Sequence, residues 1–282
     1  MSNDFNQQVI ADFRANGGQV GGMFEGVRLL LLTTTGARSG APHTVPLGFL
    51  PDGADRSLVI GSAGGAARHP AWFHNVIADP RVTVEDGVFV ADALAVVLEG
   101  AERDHAFARA AEADPGWADY QAATARVLPV VALEPVAGPP RFADGPGGTS
   151  GGAVLKRVHD AFRRELALIR KEIAEAGAGL GAQLRVNCLT ICAGLHRHHT
   201  GEDLGIFPFV AGHRPELAST VDRLRVEHQH IAALIEELQA VVSGQADPPV
   251  VLREVERLTD ELERHLAYEE EQLIPVLDAA TP

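Results

Sequence analysis

The 282-residue sequence predicts an α+β chain of two domains, a β-rich N-terminal half and an all-α C-terminal half folded as an up-down four-helix bundle. Three observations carry this. The stretch AGPPRFADGPGGTSGG at 137–152 is rich in Pro, Gly and Ser, has no apolar period, and reads as a flexible linker. Before it, short β-branched runs alternate with Gly, Pro and Asp. After it, apolar residues recur at helical spacing in four long segments. The boundaries drawn this way are 1–137 for the first domain, 138–153 for the linker and 154–282 for the bundle.

In the first half the strand-like runs are Val27–Thr35, Thr44–Leu50, Leu58–Ser62, Arg81–Val84, Val88–Val97 and Val127–Leu133, a pattern that suits a sheet or small barrel. Two segments break it. Asp4–Ala15 puts Phe5, Val9 and Phe13 on one helical face, and Glu102–Ala113 is alanine-rich. Residues 1–137 carry 9 basic and 16 acidic groups, and residues 154–282 carry 14 and 21. Neither half has a basic stripe, which speaks against a nucleic-acid partner. No run approaches the ~20 apolar residues of a spanning helix. The start, MSNDFNQQ, lacks the marks of a signal peptide, so a cytoplasmic location is expected. Cys188 and Cys192, four apart in a helical stretch, give no disulfide framework; Cys188 reads as a small core residue.

The four seams of the second half step by three and four residues. They are Leu155, His159, Phe162, Leu166, Ile169, Ile173; then Leu184, Cys188, Ile191, Leu195, His198, Glu202; then Leu217, Val221, Leu224, His228, Ile231, Ile235, Leu238; and finally Val255, Leu258, Leu262, His265, Glu269. Every helix thus places one histidine on its buried stripe, and two add a glutamate one turn on. Burying six such groups in one apolar core is costly unless something binds them. Four neutral imidazoles and two carboxylates able to bridge suit a pair of iron or manganese ions. His196, His199 and His230 fall off the stripes and are expected at the surface or behind the ligands. A gapless internal repeat, HHTGEDLGIFP (His198–Pro208) on HLAYEEEQLIP (His265–Pro275), makes the site pseudo-symmetric, with Glu202 and Glu269 as facing bridges.

With its His159–Asp160, HHxxE…FP and HxxxEE elements, the segment resembles hemerythrin-type (HHE cation-binding) domains. By position the resemblance makes His159, His198, Glu202, His228, His265 and Glu269 the ligands of two non-haem irons, with manganese or a mixed pair as the alternative. Oxygen-carrying members have a further histidine four residues after the third-helix ligand, where this sequence has Ala232. That points away from reversible oxygen carriage and toward an open position reacting with dioxygen, peroxide or nitric oxide.

In the first half, TTTGARSGAPHTVPL (Thr33–Leu47) reads as strand, Gly-rich turn and strand. Its backbone amides and the Arg38 guanidinium suit a phosphate, while a plain tight hairpin is the competing reading. A second Gly-rich element, GSAGGAARHPAWFHN (Gly61–Asn75), follows another strand. Two such elements with Arg38, Arg68 and His43 in an acidic domain suggest a pocket for an anionic ligand. Together with Asp79–Pro80, WADYQAATARVLPVV (Trp117–Val131) and Glu134–Pro135, they resemble the deazaflavin-dependent nitroreductase family, split β-barrels of FMN-binding-like fold that use coenzyme F420. The resemblance implies that Arg38, Ser39, Gly40 and His43 meet the cofactor's phosphate and acidic tail. It places Ser62, Gly64, Gly65, Trp72 and Asn75 on the deazaflavin side and makes Tyr120 a proton donor.

The function expected from both resemblances is hydride transfer from reduced F420, an 8-hydroxy-5-deazaflavin, to a quinone-like or other small acceptor. It is joined to sensing or consumption of O2, peroxide or NO at the di-iron site. The alternative is a non-catalytic iron, oxygen or NO sensor with the barrel as scaffold. The barrel resemblance also implies a homodimer.

Overall fold

The computed structural model describes residues 3–53, 56–138, 141–143, 148 and 150–280. They fall into two compact units, 1–146 with 181–183 and 147–180 with 184–282.

The first unit runs α1 (Asn3–Ala15), β1 (Leu29–Thr35), β2 (Pro42–Pro51), β3 (Ser57–Ile60), α2 (Ala71–Ala78), β4 (Arg81–Glu85), β5 (Phe89–Val97), α3 (Gly100–Ala113), α4 (Gly116–Ala122), β6 (Val130–Pro135) and β7 (Arg141–Phe142). The strand order is β4-β1-β2-β3-β6-β5-β7, all antiparallel, and an additional β4–β5 pairing closes the first six into a barrel. Closure leaves those six without free edges.

The unbroken apolar run of β1 follows from burial on both faces. Leu30 and Leu32 point into the barrel with Val59, Val131 and Leu133, while Leu29 and Leu31 pack outside under Ile10 and Phe13 of α1. Strand β6 repeats the arrangement: Val131 and Leu133 lie inside, and Val130 and Ala132 meet Ala106 and Ala110 of α3.

Two features differ from the sequence expectation. Within the stretch read as linker, β7 pairs with β5 through Phe89 and Phe142, whose rings lie 5.5 Å apart. The first bundle helix begins at Gly151 because the Ser150 hydroxyl caps it, accepting from the Ala153 amide at 3.3 Å. Residues 139–140, 144–147 and 149 of the linker lie outside the described residues.

The second unit comprises α5 (Gly151–Glu175), α6 (Ala182–Gly201), a π turn at Glu202–Ile206, α7 (Phe207–His213), α8 (Ala218–Ser243) and α9 (Pro248–Ala280). Its seams are apolar on both sides of the histidines. One cluster holds Leu166, Leu195, Ile231 and Leu262; the other holds Leu155, Phe207, Leu224 and Leu273. The histidines and glutamates therefore form a polar layer between two apolar ones. The internal repeat is not a structural copy. After Glu202 the chain passes through the π turn, whereas α9 continues through Pro275. No described helix is long and apolar enough to cross a membrane.

Candidate metal centre and cofactor cradle

The layer contains seven side chains in two groups, whose members' ligand atoms lie within 4.8 Å of one another. One is His159, His198, Glu202 and Glu269; the other is His199, His228 and His265. Two residues join the groups. Glu202 Oε1 stands 3.2 Å from His198 Nε2, and its Oε2 stands 3.6 Å from His228 Nε2. Glu269 Oε2 lies 3.5 Å from His159 Nε2 and 3.6 Å from His265 Nε2. Each carboxylate is thus shared between the groups, as a bridging ligand requires.

The inward atoms have no other partners. The five Nε2 atoms of these histidines and all four oxygens of Glu202 and Glu269, nine atoms in total, are buried without a hydrogen bond. Orphaning that many polar atoms in an apolar core is unfavourable by about 1–3 kcal/mol each. Cations held by the two groups would give these atoms partners, so the residues present fit a metal centre.

Outer carboxylates fix the rings. His159 Nδ1 lies 3.0 Å from Glu270 Oε1, His228 Nδ1 lies 3.1 Å from Asp203 Oδ1, and His265 Nδ1 lies 3.0 Å from Glu227 Oε2. Each pairing assigns the ring proton to Nδ1 and leaves the Nε2 lone pair facing inward. Arg163 Nη1 in turn donates to Glu270 at 2.6 Å. Burial would raise the Glu270 carboxyl, but its bonds from His159 and Arg163 outweigh that and hold it down to about 2. Replacing Glu270 with glutamine is expected to weaken metal binding about 10- to 100-fold, measured by competition with a chromogenic chelator.

Burial dominates the electrostatics of the layer. It lowers His159, His198, His199 and His228, with neighbouring histidines adding to the effect at His198 and His199, and brings His265 to about 4. It raises Glu202 well above the carboxylate range, helped by Glu269, and pushes Glu269 up to about 8. Neutral imidazoles are what a metal needs. The same shifts set the pH response of the chelated protein. His265, depressed when folded, contributes stability above its unfolded value near 6.5 that is lost as pH falls toward 4. Glu269, raised when folded, contributes stability below its unfolded value near 4.5 that is lost as pH rises through 8. Metal-free protein should therefore lose bundle stability on both sides of an optimum between these limits, as urea unfolding across pH would show.

The six expected ligands all converge. His199 corrects the sequence reading: it is buried, its ring stacks on His228 at 4.3 Å and meets His265 edge-on at 5.3 Å. An α-helix advances about 100° per residue, so His198 and His199 diverge to separate groups while Glu202, four and three residues on, stands over both. The third imidazole of the second group thus comes from α6, and the place of Ala232 on α8 does not leave that group short. The other group pairs two imidazoles, His159 and His198, with the carboxylates of Glu202 and Glu269. His196 and His230 are exposed, as expected.

In the barrel unit, the turn between β1 and β2 is closed by the Gly40 amide on the Gly36 carbonyl at 2.8 Å, with Gly40 at φ +66°. Arg38 is exposed on it. The Ser39 hydroxyl accepts from the Ala41 amide and lies 3.1 Å from His43 Nε2. Asn75 holds this turn from below: its Oδ1 accepts from the Ala37 amide at 3.0 Å and its Nδ2 donates to Thr34 at 2.9 Å. Its amide thus braces the turn, and Trp72 packs in the barrel core. In the second element Ser62 is followed by Ala63, Gly64 and Gly65, all left-handed at φ +49°, +62° and +78°. A Cβ on Gly64 would meet nothing within 4 Å, so that backbone is open to a ligand. Tyr120 on α4 is 42% exposed, its ring 6.2 Å from that of Trp117. Sequence reasoning passed over Arg126, which binds the second glycine-rich element; its only signal was a lone cation before the apolar run of β6.

These features define a chain that joins a closed antiparallel barrel, bearing two glycine-rich turns, to a helical bundle with a buried histidine–carboxylate layer suited to metal. The chain belongs to the F420H(2)-dependent quinone reductase family, whose pattern matches residues 6–135, and carries a hemerythrin HHE cation binding domain at residues 150–277. It is 34% identical over 128 residues to an F420H(2)-dependent quinone reductase of Mycobacterium tuberculosis, covering 44% of this chain and 85% of that protein. Among solved structures, an F420-H2 dependent reductase is 42% identical, covering 38% of this chain and 94% of the other, with a TM-score of 0.35.

Proposed function

We propose that the protein is an F420-dependent oxidoreductase that reduces a quinone-like small acceptor, and that its bundle holds two irons reacting with or sensing O2, peroxide or NO. The observation that carries the first part is the match to the quinone reductase across most of that relative's length. Reduced F420 supplies a hydride; with one proton, this converts a quinone to its hydroquinone. The exposed Arg38, the Ser39 hydroxyl, the Gly40 backbone and His43 meet the cofactor's phosphate and acidic tail. Ser62, Gly64 and Gly65 line the deazaflavin, with Trp72 and Asn75 supporting from the core. Tyr120 presents its phenol to the acceptor oxygen as proton donor.

In the bundle, His159, His198, Glu202, His228, His265 and Glu269, joined by His199, hold the metals, and Glu270, Asp203 and Glu227 orient three of the rings. Iron would supply redox chemistry with small oxidants there. Manganese or a mixed pair would be recognised by metal analysis. Residues 1–137 and 154–282 are the two functional domains of this reading.

The test follows oxidation of reduced F420 by iron-loaded protein, with a quinone or with dioxygen as sole acceptor, beside a His198→Ala variant. Quinone turnover by both proteins supports the reductase. Dioxygen turnover lost in the variant joins the two halves in one reaction. Oxidation with neither acceptor contradicts the enzyme and favours the second reading, a metal-based sensor. That reading draws on the bundle having apolar cores of its own around the ligand layer.

A further inference from the structure

We propose that Arg126 is a positioning residue that locks the loop Gly61–His69 onto the helix carrying Tyr120, so that the cofactor cradle and the proton donor keep a fixed separation. This rests on the barrel reading given above. The Arg126 guanidinium spans the loop: Nη2 donates to the Ser62 carbonyl at 2.6 Å, Nε donates to the Ala66 carbonyl at 2.9 Å, and Nη1 lies 3.2 Å from His69 Nδ1. The planar fork of arginine suits three such partners, and a lysine ammonium cannot reproduce it.

The other end of Arg126 is tied to α4. Gln121, in the last turn of that helix, donates from Nε2 to the Arg126 carbonyl at 2.8 Å and accepts the Leu128 amide at 2.9 Å. A second, independent attachment lies one turn away. A Cβ on Gly65 would sit 2.9 Å from Ala123 Cβ and 3.4 Å from the Tyr120 carbonyl, so loop and helix touch through a bare glycine. Between these attachments the loop holds three successive left-handed residues, one of them the non-glycine Ala63. Ala63 is the strained member: a left-handed non-glycine persists only where its surroundings over-determine it, and the Arg126 fork and the Gly65 contact act there beside the loop's own Gly65–Ser62 and Ala66–Ala63 backbone bonds. Gly64, open to solvent, is the part of the loop left for a ligand.

The experiment uses the full chain with Arg126→Ala, Arg126→Lys and Gly65→Ala. It reads F420 affinity by fluorescence titration, kcat and acceptor KM at saturating F420, and amide hydrogen exchange of segments 61–69 and 116–123. For Arg126→Ala we expect F420 affinity to fall about tenfold or more, the energy of one strong hydrogen bond. We further expect kcat to fall with acceptor KM unchanged, faster exchange in both segments together, and partial rescue by methylguanidinium. Arg126→Lys should behave the same way without rescue, and it is read if the alanine variant does not fold. Unchanged exchange in both segments overturns the lock whether or not F420 binds. Absence of F420 binding by the wild-type protein, with the segments loosened in the variants, instead overturns the barrel reading and leaves the lock standing.

Discussion

Replacing Glu202 with leucine is expected to abolish metal binding and, at the same time, to make the metal-free bundle more stable. Both effects come from the same burial. Glu202 is 2% exposed, its oxygens face only histidines and Glu269, and burial holds its carboxyl well above the usual range. Exchanging buried ionic groups for well-packed apolar ones of similar volume is often neutral or stabilising, by up to about 4 kcal/mol, and the Glu202 oxygens have no cation to lose in the metal-free bundle. In the presence of metal the ranking should invert. A ligand at a thousandfold excess over its Kd contributes about 4 kcal/mol to the native state, a gain open to the wild type and closed to the variant. Thermal unfolding with chelator and with ferrous iron gives the crossing directly. A leucine variant that is less stable without metal, or still stabilised by it, would mean that Glu202 is a satisfied core residue.

Tyr120→Phe should lower kcat for quinone reduction about 10²-fold or more, within the range general-acid groups supply, with F420 affinity unchanged. The phenol is exposed beside Trp117 and its loss removes no core packing, so a fall in rate cannot be laid to unfolding. Steady-state rates across acceptor concentration, paired with an F420 titration, separate the two quantities. Full activity in the phenylalanine variant would assign the proton to water.

The ligand stripes were legible because a three–four step fixes one face of a helix, and a histidine on such a face inside an apolar seam has few explanations. His199 was not, because one residue along a helix turns out of the stripe; its three-residue spacing to Glu202 was the signal available. The outer carboxylates were hidden for a tertiary reason. Asp203, Glu227 and Glu270 each adjoin a ligand in sequence yet serve a histidine of a different helix, a pairing set only by how the helices dock. In the barrel the strands were readable from their β-branched runs, but the β4–β5 closure and the β7 addition depend on long-range pairing. Asn75 was placed by resemblance at the cofactor, and its amide also bonds the Ala37 amide and Thr34, a pairing no local spacing announces.

The decisive measurement is a Mössbauer spectrum of full-length protein loaded with ⁵⁷Fe, together with its iron content. Glu202 and Glu269, each reaching histidines of both groups, predict two irons per chain that are exchange-coupled when oxidised. A single iron per chain, or two magnetically isolated ones, would contradict a shared centre.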